Sequence, residues 1–189
     1  MDIGSAFKSE VLRPIVITVI PGSFALFPFL LLLNHRFPEL ATYKDAHEPV
    51  YFTLTALAVV AVGLVLEDLG SRVEWHWDNR LRREPEFADF DETWNAYLRT
   101  AFDREPIGQR YLRTILLRVK FELGFGISLL PFGLGCWVAN SAKQWFSCSE
   151  MAIFTAFVAV LAAYMVWESY CGSRLLAKVR GTLVGVRVG

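Results

Sequence analysis

Residues 15–33 read IVITVIPGSFALFPFLLLL, 19 positions without a charge. A helix needs about 20 mostly apolar residues to cross the hydrocarbon of a bilayer, with a range of about 17–25, so this stretch is long enough to span. It is longer than the 7–15 apolar residues of a cleavable signal. The polar Asn34-His35-Arg36 follows it instead of a small-residue cleavage site. It therefore reads as an anchor that stays in the chain. Working outward, three further uncharged runs follow at residues 50–66, 123–139 and 151–167, each 17 long. Each gains a turn from its flanks, giving expected spans at about 15–33, 50–70, 121–141 and 151–171. Four such runs leave little amphipathic surface for a soluble helical bundle.

Composition agrees. The chain has 189 residues, 54% of them hydrophobic and 20% charged, with 19 basic residues against 19 acidic ones. This excludes a disordered chain, a disulfide scaffold and a nucleic-acid module carrying large positive charge. Zero net charge favours precipitation of a soluble domain, whereas a lipid-embedded chain tolerates it. The charge is unevenly spread. Of the 19 basic residues, 16 fall in the N-terminal tail, the middle connection and the C-terminal tail, leaving Arg36, Lys44 and Lys143 for the other two loops. Lys and Arg concentrate on the cytoplasmic side of membrane proteins. Both termini and the middle connection are expected there, in a bacterial inner membrane. Tyr51, Phe52, Trp137 and Trp145 toward one side, and Trp75, Trp77, Trp167 and Tyr170 toward the other, suit the headgroup regions.

The middle connection has its own pattern. Leu69, Val73, Trp77 and Leu81 recur every four residues, which continues the second span as a helix to about Arg83. Glu84-Pro85 stops it, because the residue before proline avoids helical dihedrals. Asp89 with Glu92 three positions on has the spacing of a helix-capping pair. The short helix that follows shows Phe90, Trp94, Tyr97 and Leu98. After a break containing Pro106 and Gly108, Tyr111, Leu112, Ile115, Leu116 and Val119 lead into the third span. The expected fold is all-α: a polytopic membrane protein with four transmembrane helices, the second and third extended into a cytoplasmic helical hairpin with a short capping helix. Its units are residues 1–66 (tail and first two spans), 67–122 (projection), 123–172 (last two spans) and 173–189 (basic tail, helical to about Lys178). The positive-inside pattern is the preferred account of the basic tail; the alternative is contact of its four basic residues with anionic lipid.

Four groups of residues are candidates for function. Pro14, Pro21 and Pro28 are seven apart, and each removes a backbone donor. Pro21-Gly22-Ser23 is the expected break, either an exposed-backbone site of the transporter kind or a bend whose freed groups are satisfied by neighbours. Gly124 with Ser128, and Thr155, Ala159 and Ala163, fall at steps of four that let helices approach closely. Glu67, Asp68, Arg118, Lys120, Glu122 and Glu168 cluster at the expected cytoplasmic boundary. There they read as salt bridges between helix ends, as a charged ring in an oligomer, or as a hard-cation site. Phe90, Trp94, Tyr97 and Phe102, beside Asp89, Asp91 and Glu92, form an acidic-aromatic surface for a partner. Its polar positions, Asp89, Asp91, Glu92, Asn95 and Arg99, are mostly acidic, whereas a membrane-surface helix is rich in Lys and Arg.

Catalytic patterns are lacking: the sequence has no HExxH, GxSxG, Walker A or CxxC. No enzyme activity, cofactor or metal is expected, and no nucleic-acid partner. Cys136 and Cys148 fall near one membrane face, where an oxidising compartment permits a disulfide, although Cys136 lies inside its span. The leading expectation is a homo-oligomeric channel or membrane-perturbing effector controlled through the projection. The alternatives are an anchor or sensor that recruits a soluble cytoplasmic protein, and a transporter or membrane enzyme using the boundary carboxylates. The lipid bilayer and further copies of the chain are the expected partners.

Overall fold

The computed structural model describes residues 15–87, 89–99 and 107–185. Pro14, Phe102 and Pro106, singled out above, lie outside the described residues. Among those described, every regular element is helical. A π turn at Ile15–Val19 leads into α1, Ile20–Arg36. A short α2, Pro38–Ala46, joins it to the long α3, Glu48–Leu81. A 3-10 turn at Pro85–Phe87 precedes α4, Phe90–Arg99. Two long helices complete the chain, α5 at Ile107–Lys143 and α6 at Cys148–Gly185. Four helical stretches, Ile15–Arg36, Glu48–Leu81, Gly108–Lys143 and Cys148–Leu183, are long and apolar enough to cross a membrane. This is the composition of a multi-pass membrane protein.

The three longest helices have 34, 37 and 38 residues. At about 1.5 Å per residue they reach about 50–57 Å, well beyond a hydrocarbon core of about 30 Å. The apolar run sits at the start of α3, the end of α5 and the start of α6. Because α3, α5 and α6 alternate in direction, all three overshoot at the same end of the bundle, here called the charged end. The basic segment expected as a tail is helical through Gly185. A buried stripe of Ser169, Ser173, Ala177 and Arg180 carries α6 on past the membrane.

Helix α5 is central, packing on α6, α1 and α3. Phenylalanines fill the space between α1, α5 and α6: Phe24 lies 4.9 Å from Phe125 and 5.1 Å from Phe132, and Phe132 lies 6.1 Å from Phe154. Helices α1 and α3 cross at two glycines. A Cβ on Gly22 would overlap the Val59 carbonyl oxygen, and one on Gly63 would overlap that of Thr18. Only residues without a side chain permit backbones to come so close. The outward faces are apolar, with Leu54, Leu57, Leu64 and Val65 exposed on α3, and Ile153, Phe157 and Val160 on α6. So large an apolar surface belongs in lipid or against another protein, not in water.

Pro21 does not open the helix. The chain stays helical from Ile15 through Arg36, and the irregularity is the π turn just before the proline. Pro21 lacks the N–H that the carbonyl four residues earlier would accept, and a π turn shifts acceptance to the fifth residue on. At the opposite end, Ser147 and Glu150 start α6 as a reciprocal pair. The Ser147 N–H donates to Glu150 Oε2 at 2.8 Å, and the Glu150 N–H donates to Ser147 Oγ at 3.3 Å, satisfying two donors that a helix start leaves over.

Candidate functional site: the charged end of the bundle

Where the apolar runs stop, the first charges form a triad between α5 and α6. Arg118 Nε donates to Glu122 Oε1 at 2.7 Å, and Arg118 Nη2 donates to Glu168. Two carboxylates on one guanidinium leave a formal charge of minus one. The Glu122 side chain is only 11% exposed, and its Oε2 has no hydrogen-bond partner among the described residues. Carboxylates near hydrocarbon are costly unless paired. Next to the triad, the Ser169 hydroxyl donates to the Val119 carbonyl at 2.9 Å, which holds α6 against α5.

Of the six boundary residues, Arg118, Glu122 and Glu168 come together. Lys120 turns to Glu74 on α3, at 3.8 Å. Asp68 pairs along its own helix with Arg72 at 3.0 Å, both well exposed, a geometry worth about 0.3–0.5 kcal/mol. Glu67 lines a small crevice with Lys120 and Glu74. The belt is thus two short networks, one joining α5 to α6 and one joining α3 to α5.

Further from the apolar runs, α6 collects the segment after α3. Arg174 Nη2 lies 2.9 Å from Glu84 Oε2 and 3.4 Å from Glu86 Oε2, and Lys178 Nζ lies 2.6 Å from Glu86 Oε1. The hydrogen bond from Lys178 holds the Glu86 carboxyl below its usual range. Leu81, Phe87, Phe90 and Ala177 form a small apolar core under these pairs. Arg180, only 4% exposed, lies 4.5 Å from the ring centres of both Phe90 and Trp94. A desolvated cation over an aromatic face gains about 2 kcal/mol. Among the described residues its Nε has no hydrogen-bond partner, and the residue lines a cavity of about 190 Å³ with Asp78 and Glu74 also on the wall. Arg82 closes one side, 3.0 Å from Asp91 and 5.5 Å from the Phe90 ring centre.

The acidic-aromatic residues of α4 divide between two roles. Phe90 is buried and Trp94 covers Arg180 while remaining 40% exposed. Trp94 stacks near Tyr97 at 6.3 Å, and Leu98 is 63% exposed. The Asp89 carbonyl accepts the Thr93 N–H at 2.8 Å at the start of the helix.

The small-residue positions also divide. Gly124 faces Pro21 and the Ile17 carbonyl of the π turn. Ser128 is fully buried and donates to the Phe125 carbonyl at 2.7 Å. Thr155 Oγ1 accepts from Trp137 Nε1 at 2.6 Å. Ala159 and Ala163 are exposed, while Val158 and Ala162 beside them are buried. The packed stripe of α6 therefore runs one position earlier than the sequence spacing indicated. Cys136, Cys148 and Cys171 are free thiols.

Sequence places Arg174 beside the boundary charges, but Lys178 and Arg180 were not singled out, because the segment read as a tail. Their signal was the run Ser169, Ser173, Ala177, small residues at steps of four that continue a packed helical face. No family model, curated protein or solved structure matches the chain.

Proposed function

We propose that this protein is a non-catalytic membrane anchor or sensor whose cytoplasmic projection recruits a soluble partner. In this reading α3 and α5 extend as a hairpin, α6 joins them, and α4 is the recognition helix at its tip. The observation that carries it is the split character of α4. Phe90 and one face of Trp94 are fixed on α6, while Leu98 and the rest of Trp94 stay exposed beside Asp91, Glu92 and Asn95. Exposed aromatic and aliphatic anchors rimmed by charge suit a protein contact, and the acidic rim calls for a basic partner surface. The cytoplasmic side follows from the Lys and Arg distribution.

The test is site-specific photocrosslinking from position 98 in membranes of the expressing cell. The expected product is one discrete adduct with a soluble protein, lost when Asp91 and Glu92 are changed together to Lys. Adducts with lipid alone, or an adduct indifferent to that charge reversal, would remove α4 as the contact.

The channel reading has support of its own in the apolar outer face of α3, where Leu54, Leu57 and Leu64 are exposed. Phenylalanines fill the space between α1, α5 and α6, so a pore would lie between copies, ringed by the net-negative Arg118–Glu122–Glu168 triads. A ring-shaped oligomer with cation leak in liposomes is then expected; a monomer with tight liposomes sinks the reading.

A further inference from the structure

A groove of about 850 Å³ runs along α5 and α6 from the apolar zone to the charged end. Its floor is made of Gly126, Ala159, Ala162 and Ala163. The low floor comes from close packing beneath it, since a Cβ on Gly126 would stand 3.2 Å from Val166 Cγ2. Ile127, Leu130 and Val166 supply apolar walls. Toward the charged end the lining changes to Trp77, Trp167, Tyr170, Arg80, Glu84 and Arg174. Trp77 packs edge-on against Tyr170 at 5.6 Å, so α3 closes the upper part of the groove.

We infer that this groove binds an anionic phospholipid from the leaflet at the charged end. Three features fit. The first is length: from Ala159 to Arg174 the helix rises about 22 Å. One leaflet offers about 15 Å of hydrocarbon and about 5–7 Å of headgroup. The second is polarity along the axis, apolar and shallow where the acyl chain lies, then aromatic, then cationic. Trp and Tyr favour that intermediate depth. The third is charge. Arg174 is engaged by Glu84 and Glu86, but Arg80 is exposed and makes no ion pair among the described residues. Glu84 and Glu86 offset Arg174, so Arg80 is the cation the mouth offers, and a phosphodiester supplies the opposite sign. Guanidinium matches phosphate oxygens with paired donors. The site does not depend on the partner contact proposed for α4.

The experiment uses the full chain in phosphatidylcholine vesicles containing graded amounts of brominated phosphatidylglycerol, with tryptophan quenching as the readout. Quenching should saturate at a low mole fraction, and Trp167→Phe should remove most of the quenchable signal. Arg80→Gln should raise the midpoint about five-fold, the effect of one basic residue at a membrane surface. Ala163→Leu, which fills the floor, should abolish saturation. Arg80 is exposed, so its variant keeps the test decisive if Ala163→Leu fails to fold. Brominated phosphatidylcholine quenching as well as the anionic lipid, or an unchanged midpoint in Arg80→Gln, would overturn the inference. Displacement by inorganic phosphate would assign the mouth to a free anion instead. Efficient crosslinking of Ala163→Cys between copies, undiminished by phosphatidylglycerol, would assign the groove to a second copy of this chain.

Discussion

Replacing Gly63 by alanine should loosen the crossing of α1 and α3 while leaving each helix intact. The added Cβ meets the Thr18 carbonyl oxygen and carbon and the Thr18 Cγ2. Two of these are backbone atoms and cannot rotate away, so the helices must separate. Overpacking in a filled core costs about 1–3 kcal/mol, and a backbone obstacle puts this site at the upper end. In water, alanine would return up to about 1 kcal/mol through helix propensity. In a bilayer the separated helices remain helical, because lipid cannot satisfy their backbone groups, so that compensation is largely lost. The expected net destabilisation is about 2–3 kcal/mol, a fall of about 30- to 150-fold in the folded-to-unfolded ratio. Reversible unfolding in bicelles, followed by a steric trap on α1 and α3, measures it. Gly133→Ala is the internal control, since its nearest neighbour is Val158 Cγ1 at an ordinary 3.5 Å, and it should change stability by less than about 0.5 kcal/mol. Gly22→Ala combined with Gly63→Ala should cost less than the sum of the two, because both act at one crossing. If Gly63→Ala matched the Gly133→Ala control, the backbone contact would not be what sets the packing of α1 on α3.

Three further outcomes are expected. Arg118→Gln leaves the buried Glu122 unpaired; because Arg118 is more than half exposed, the cost is discounted from the buried-pair range to about 1–2 kcal/mol. Adding Glu122→Gln should recover most of it, and unfolding in bicelles reads both. Arg180→Ala should release α4 from α6, costing about 2 kcal/mol locally. The measurable sign is faster hydrogen exchange at residues 90–99 with residues 123–139 unchanged, and equal protection in both segments would refute the role given to Arg180. The Glu86 carboxyl should titrate below the ordinary glutamate value by carbon NMR. Its link to Lys178 therefore contributes fully above that ordinary value and fades as pH falls through the lowered one. Lys178→Ala should move the titration back up.

The spans were legible because their signal is one-dimensional: an uncharged run of sufficient length needs no knowledge of neighbours. A proline also acts on its own chain, but the helix ends at Leu81, ahead of Glu84-Pro85, so that pair lies in the turn after α3 and does not mark its last residue. Which small residues pack was not readable to the same depth. Thr155, Ala159 and Ala163 repeat every four residues, yet Val158 and Ala162 face inward. Two stripes one residue apart look alike until the position of α5 chooses between them. The pair Ser147 and Glu150, three positions apart, carries a local capping signature that is legible in sequence without any neighbour.

The charged end shows the same division between local and long-range signals. Composition placed the charges there, but partner choice depends on helix depth and rotation. Lys120 and Arg118 are two residues apart and so point to different sides of α5. One reaches Glu74 on α3 and the other Glu168 on α6. A flat belt drawn from sequence cannot represent that divergence. The consequence is mechanical: α5 is tied at one level to both of its neighbours, and α6 is tied again higher up to Glu84 and Glu86. A partner that pulls α4 off Arg180 would load α6 through Phe90 and Ala177, and the end of α3 through Leu81 and the Arg82–Asp91 pair. The first route reaches the span through Ser169 and the Arg118–Glu168 bridge, and it leads where the triad transmits the load. Spin labels on α6 and α3 at the depth of Glu168 would separate the two orders. Displacement of the α3 label ahead of the α6 label on binding would rule out transmission through the triad.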